Sequence, residues 1–495
     1  MKLAADIVCG LKDQSMLKID VEPGLGAELS EYFSFYVPGY KFMPAYKHKV
    51  WDGKIKLFNR MTGELNAGLW LNLKKFAKDR SYVIETKETD YGAPLGNDVI
   101  FDFDFNLPLP LRNYQEEAIK LALSRNRAII LSPTGSGKSY IIYVIMKYYL
   151  EIINEDKNGK PSKVLIIVPT TGLVEQMYND FKDYEMDVEK DVHKIYSGKD
   201  KITEKRVIIS TWQSIYKLPK KWFEQFGMVF GDECHGFKSK SLSSIMNKAT
   251  EAKYRFGTTG TLDGTLTHKL VLEGLFGPVF KAISTKELQD NDTLAPLDIK
   301  ILLLNYDKNI RQNFGKQVYQ DEINYIITHK NRNKFIQNLA LQCDGNTLVL
   351  YSRVESHGKI LFDLINNNKK KNRKAFFVSG EVPTSDREAI RGIVEKQKNA
   401  IIVASLGTFS TGVNIRNLHN IIFASPSKSQ IRVLQSIGRG LRKSDDDKPT
   451  KLFDIADDLH WKKRQNYTLL HSAERLKIYK REQFKYKVIV VDLNE

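Results

Sequence analysis

The chain has 495 residues, 42% apolar and 27% charged, with a formal net charge of +17. That length accommodates roughly two to four domains, each with its own core, and the composition is that of an ordinary globular protein. No apolar run reaches the roughly 18–20 residues that cross a bilayer. The start, MKLAADIVCGLKDQ, meets charge too early for a secretory signal, and the scattered Cys9, Cys234 and Cys343 fit neither metal-finger spacing nor a disulfide framework. The expectation is a reducing, cytoplasmic setting with no membrane, and the excess of Lys and Arg puts polyanions first among partners.

Residues 1 to about 100 alternate short β-like runs with turns, such as Lys54–Phe58 and Ser81–Glu85. Within them Lys41, Lys47, Lys49, Lys54, Lys56 and Arg60 interleave with Tyr40, Phe42, Tyr46, Trp51 and Phe58. Such interleaving suits backbone contact with base stacking, and equally a small sheet with an aromatic core and solvated lysines. Pro108 and Pro110 mark a linker. A new pattern then begins, in which apolar runs alternate with helical stretches: Ala128–Leu131, Val164–Val168, Val207–Ile209, Met228–Phe230 and Tyr254–Phe256. It restarts after about 300 with Thr347–Tyr351, Ala375–Val378, Ala400–Ala404 and Ile421–Ala424. Uniformly apolar strands between helices predict parallel sheets covered on both faces, hence two successive α/β domains. The polar run Asn366–Lys374 reads as an exposed loop, and the segment beyond 460 as a helix followed by the strand-like Tyr486–Val491.

The chemistry is concentrated in four motifs. SPTGSGKS, Ser132–Ser139, follows a strand and opens a helix, the context a phosphate loop requires. Thr134, Gly135, Ser136 and Gly137 would curl backbone N–H groups around ATP phosphates, Lys138 would reach the terminal phosphates, and Ser139 would ligate Mg2+. DECH, Asp232–His235, ends an apolar run; Asp232 is placed to hold Mg2+ and Glu233 to activate the attacking water. LRNYQ supplies Arg112, Tyr114 and Gln115, of which Tyr114 would stack on a base and Gln115 read an adenine edge. QSIGRGLR carries Gln435, Arg439 and Arg442, the arginines sharing a helix face and suited to neutralise charge on the transferred phosphoryl group.

The ordered set PTGSGKS, VPTTGLVEQ from Val168, STWQS from Ser210, DECH, GTTGT from Gly257, SLGTFSTGVNI from Ser405 and QSIGRGLR resembles superfamily 2 helicases over residues 105–460. YFSFYVPGYKF, VWDGKIKLF, LFGPVFKAISTKEL and SHGKILFDLI make the chain most similar to the UvsW-type helicases of tailed bacteriophages. The resemblance implies two tandem RecA-like parallel-sheet motor domains, 105–295 and 296–460, preceded by a small α+β N-terminal domain, 1–100, and followed by a tail, 461–495, packed on the motor. It also implies ATP-dependent unwinding and branch migration of forked or four-way DNA in phage-type recombination and replication restart, in a host cytoplasm. Thr170, Thr171, Thr211 and Thr411 would contact the nucleic acid, and Gly412 both strand and nucleotide. His235, Thr259 and Thr261 would couple hydrolysis to domain movement. Lys41, Lys47, Lys49 and Trp51 extend the expected DNA surface.

The expected partners are branched and single-stranded DNA, with RNA in R-loops and a single-strand binding protein as further candidates, acting on a monomer. An RNA or R-loop helicase, and an annealing protein switched by ATP without processive unwinding, stay open beside this reading.

Overall fold

The computed structural model describes residues 5–87, 107–153, 162–262, 266–314, 318–408, 417–425, 429, 433, 437–438 and 449–493. Its contacts divide the chain into two units: Met1–Ser132 with Gly137–Ala282, and Pro133–Ser136 with Ile283–Glu495.

The first unit begins with a four-stranded sheet ordered Glu64–Asn66, Met16–Val21, Ile7–Leu11, Ile84–Thr86. Period-two alternation builds it: Met16–Val21 buries Leu17 and Ile19 while Lys18 and Asp20 face solvent. Helices Pro23–Tyr32 and Trp70–Arg80 contribute Leu29, Trp70, Leu73 and Phe76 to its core, completing a small α+β domain. A separate ribbon pairs Ser34–Tyr36 antiparallel with Lys54–Lys56. This small domain is joined firmly to the rest of its unit. Gln14 N–H donates to Thr250 O at 2.9 Å, and Asn66 Nδ2 to Asn247 Oδ1 at 3.2 Å. At Gly68 a Cβ would lie 2.0 Å from the Glu273 carbonyl oxygen, so backbone meets backbone there and only glycine fits.

The larger part of the unit is a seven-stranded parallel sheet ordered Val279–Lys281, Arg127–Leu131, Tyr254–Thr259, Phe226–Asp232, Lys163–Val168, Val207–Thr211, Val192–Ile195. Its apolar runs are buried on both faces: Val164, Ile166 and Val168 join one core, Leu165 and Ile167 the other. Burying alternate residues on opposite faces explains the absence of polar alternation in these strands.

The second unit has its own seven-stranded parallel sheet, ordered Ala375–Val378, Ile401–Ser405, Thr347–Tyr351, Asn420–Phe423, Thr450–Asp458, Leu297–Asn305, Tyr486–Asp492. The two sheets are those of tandem RecA-like domains. The chain's last strand completes the second, its register running from Ile299 opposite Tyr486 to Asn305 opposite Asp492. The preceding helix, Tyr467–Arg481, is capped from far away: the buried Glu322 carboxylate accepts from the Tyr467 and Thr468 N–H groups and the Thr468 hydroxyl. The polar run Asn366–Lys374 is not wholly solvated, for Arg373 is buried and donates to the carbonyls of Leu341 and Cys343, both at 2.9 Å. Among the described residues no helix is long and apolar enough to cross a membrane.

Candidate nucleotide site

Three neighbouring strands of the first sheet end at the chemistry. Arg127–Leu131 runs into the phosphate loop, Phe226–Asp232 into DECH, and Tyr254–Thr259, between them, into GTTGT. Carboxyl ends of parallel strands are where ligands bind in such sheets. The loop is tied to the middle strand by Ser132 N–H donating to Thr259 O at 2.9 Å. Gly135 and Gly137 hold φ of +87° and +79°, left-handed values that side chains resist, so both glycines are needed to curl the loop. The Ser136 hydroxyl braces the turn by donating to Pro133 O at 2.7 Å.

The helix Lys138–Tyr148 opens directly after Gly137, and its apolar face is buried throughout. Lys138 Nζ donates to Ser132 O at 3.1 Å, folding the side chain back over the loop. Beside the loop, the helix Asn113–Arg125 brings in Gln115, which is buried. Its Oε1 accepts the Arg112 N–H at 3.0 Å, while Nε2 lies 2.5 Å from where a Gly137 Cβ would stand. Gln115 therefore touches the phosphate loop as well as its own helix start. Arg112 is exposed and donates to the Tyr114 hydroxyl at 3.0 Å.

Asp232 is the electrostatic centre. Burial first, then the like charge of Glu233, raise its carboxyl from the ordinary 3.8 to about 6, against the pull of Lys138 and the hydrogen bond from Thr258. Thr258 Oγ1 donates to Asp232 Oδ1 at 2.8 Å. Glu233 stands at φ +49°, a left-handed conformation costing on the order of 1–3 kcal/mol in a non-glycine residue and concentrated at functional turns. From there it meets His235, whose Nδ1 lies 3.2 Å from Glu233 Oε2 and 3.0 Å from Thr259 Oγ1. Thr259 Oγ1 in turn contacts Thr261, donating to its carbonyl at 3.0 Å. A polar chain thus runs Glu233–His235–Thr259–Thr261, and Thr261 Oγ1 ends it buried with no hydrogen-bond partner among the described residues. Cys234 is buried and pushed well above the usual thiol range by burial, so it packs and does not react.

Elsewhere the expected contacts divide. Thr170 caps the helix Thr171–Asp183, its hydroxyl accepting Leu173 N–H at 3.4 Å, and Thr171 is half-buried at the first position. Thr211 is only 5% exposed and its hydroxyl pairs with Ser214 at 2.9 Å, which leaves it little surface for a strand. Lys41, Lys47 and Lys49 are exposed, whereas Trp51 is half-buried with Nε1 donating to Lys54 O at 2.8 Å. Gln435, Arg439, Arg442, Thr411 and Gly412 lie outside the described residues. Two site residues escaped the sequence reading. Thr258 stood inside the quoted GTTGT without a role, and Tyr184, whose hydroxyl lies 3.1 Å from Ser139 Oγ, carried no motif at all.

Comparison with known proteins gives the family. Residues 6–87 match the N-terminal domain family of the DNA helicase UvsW, 108–264 the res-subunit family of type III restriction enzymes, and 330–444 the conserved helicase C-terminal domain. The chain is 35% identical to the ATP-dependent DNA helicase uvsW of Enterobacteria phage T4, covering 99% of this chain and all of that one. It belongs to the UvsW family of superfamily 2 DNA helicases. The crystal structure of T4 UvsW aligns over 99% of this chain at 34% identity with a TM-score of 0.47. A putative HsdR fragment of a type I restriction enzyme from Vibrio vulnificus aligns over 85% of this chain and 74% of its own, at 18% identity and a TM-score of 0.58, a likeness of fold. The UvsW N-terminal match falls on the small α+β domain, and the two broader helicase matches fall on the two parallel-sheet units.

Proposed function

We propose that the chain is an ATP-driven DNA translocase that unwinds and branch-migrates forked and four-way DNA during phage-type recombination and replication restart. The observation that carries it is the grouping of Lys138, Ser139, Asp232, Glu233 and the His235–Thr259–Thr261 chain at the ends of three adjacent strands. That is a hydrolysis site with a built-in exit for its signal. Gln115 and Tyr114 would select the adenine base. Lys138 would hold the terminal phosphates, and Glu233 would orient the attacking water. Gln435, Arg439 and Arg442 would supply the remaining positive charge; an arginine finger contributes on the order of 10³–10⁵ in rate.

Mg2+ fits the donor set. Asp232, a carboxyl raised by burial beside a second carboxyl, is relieved when a divalent cation supplies the missing positive charge, and Ser139 adds a hydroxyl oxygen. Held by Asp232 and Ser139, such an ion would supply positive charge beside the phosphates. Thr170, Thr171 and Thr411 would grip the strand through its phosphates, with Thr211 supporting through Ser214; such binding ignores sequence and weakens with salt. The exposed lysines 41, 47 and 49 of the N-terminal domain would extend that surface towards a branch point.

The test measures ATP hydrolysis and strand separation on forks, four-way junctions, R-loops, blunt duplexes, single-stranded DNA and RNA. Branched DNA stimulating both activities most supports the proposal. Preference for RNA or R-loops would move the substrate, and strand separation surviving in Lys138→Ala would remove the motor.

A further inference from the structure

The helix Lys138–Tyr148 presents Ser139 one residue after the phosphate-binding lysine, and its hydroxyl does not face the loop alone. Ser139 Oγ lies 3.1 Å from the hydroxyl of Tyr184, a residue 45 positions further along the chain. Tyr184 ends the helix Thr171–Asp183, its N–H donating to Asp180 O at 3.0 Å. Its ring is held edge-on to Tyr140 with centroids 4.9 Å apart, and tilted against Tyr143 at 5.3 Å. Its carbonyl oxygen accepts the Tyr143 hydroxyl at 2.9 Å. Ring and backbone are therefore both pinned, and the phenol oxygen has little freedom to be anywhere but beside Ser139.

That placement has a chemical consequence. A serine hydroxyl that ligates a cation gives up a lone pair to the metal and must send its proton elsewhere, and a free hydroxyl rotor leaves that direction unset. Groups that hydrogen-bond a metal ligand fix its orientation, and losing one typically costs about 10–100-fold in metal affinity. Asp232, the other expected ligand, is held in this way by the Thr258 hydroxyl at its Oδ1. We infer that Tyr184 is a positioning residue for the nucleotide-bound cation: its phenol oxygen accepts the Ser139 proton and so turns the serine lone pairs to the metal. This rests on the reading of Ser139 as a Mg2+ ligand given above.

The experiment uses the full chain and a fluorescent ADP analogue, titrating Mg2+ and, separately, Mn2+ into the preformed protein–nucleotide mixture, with a parallel measurement in EDTA. Tyr184→Phe keeps the ring and its packing while deleting the hydroxyl. The expected result is unchanged nucleotide affinity in EDTA and an about 10-fold rise in the Mg2+ concentration that half-saturates the tightening, with kcat restored at saturating Mg2+. The double variant Tyr184→Phe with Ser139→Ala should titrate no worse than Ser139→Ala alone. Tyr143→Phe removes only the bond to the Tyr184 carbonyl and keeps the Tyr184 hydroxyl beside Ser139, so it should shift the titration less than Tyr184→Phe. A parent-like or tighter Mg2+ titration in Tyr184→Phe overturns the inference, as does an equal shift in Tyr143→Phe, which would trace the effect to the aromatic cluster. A parent-like titration in Ser139→Ala would instead overturn the Mg2+ reading of Ser139 itself.

Discussion

Asp457 and Asp454 of the second unit and Asp232 of the first are carboxylates withdrawn from solvent, and they are provided for differently. In the second, Asp457 is fully buried and receives Arg332 Nε at 2.6 Å, Arg332 Nη2 at 3.0 Å and the Tyr306 hydroxyl at 2.8 Å. Asp454, equally buried, takes Arg475 at 2.7 Å and the Tyr479 hydroxyl at 2.8 Å. Each negative charge has a dedicated cation and a phenol. In the first unit, Asp232 has a threonine hydroxyl and a like-charged neighbour, with Lys138 turned towards Ser132. The lesson is that burial alone says nothing about role. A buried charge whose hydrogen-bonding capacity is filled by protein donors, as in Glu322 as well as Asp457 and Asp454, locks packing, and one held beside a like charge is poised for a ligand that brings positive charge.

The largest effect is expected at Arg332. Arg332→Ala strands Asp457 in the core, and a denaturant titration should show about 3–5 kcal/mol of lost stability, the cost typical of an orphaned buried charge. Lys138→Ala should do the reverse: folding close to the parent by thermal melt, with ATP hydrolysis reduced on the order of 10²–10³-fold, as when a transition-state donor is removed. Equal destabilisation by the two would erase the distinction.

Asp232→Asn sharpens it through pH. The folded-state carboxyl sits at about 6 against an ordinary 3.8, so the folded protein binds this proton more tightly than the unfolded chain does. The resulting stabilisation is full below 3.8 and lost as pH rises through about 6. Removing the charge should therefore stabilise the nucleotide-free protein at pH 8 by roughly 1–3 kcal/mol, at 1.36 kcal/mol per pKa unit, with the gain fading towards pH 4, while hydrolysis is lost. A melting temperature insensitive to the substitution at pH 8 would contradict the electrostatic account. The smallest effect belongs to the N-terminal surface. Replacing Lys41, Lys47 and Lys49 together by Ala should leave unstimulated hydrolysis unchanged and lower the slope of log affinity against log salt for single-stranded DNA by about 2. An unaltered slope would remove these lysines from the interface.

Much of the nucleotide site was legible because its logic is local. Gly135, Gly137, Lys138 and Ser139 are consecutive or nearly so, and a strand–loop–helix context suffices to read them. DECH and GTTGT follow apolar runs that could only be buried strands, and those strands end where expected. Thr211 shows the limit of that reading: the motif around it is plain, but only packing reveals that its hydroxyl is turned to Ser214. Arg373 shows another, since a run of lysines and asparagines reads as solvated while one of its cations caps carbonyls inside the fold.

By itself, then, the order of residues determined the phosphate loop, the acidic strand end, the α/β class and the helicase family, since each depends on spacing along a few residues of backbone. The tertiary structure alone decided that Tyr184 stands against Ser139, that Glu322 caps a helix begun at Tyr467, that Tyr486–Asp492 closes the second sheet, and that Arg332 finds Asp457. Those pairings join residues from 45 to 187 positions apart. They arise because a buried polar group must find a partner wherever the packed chain brings one, a condition that no local pattern encodes.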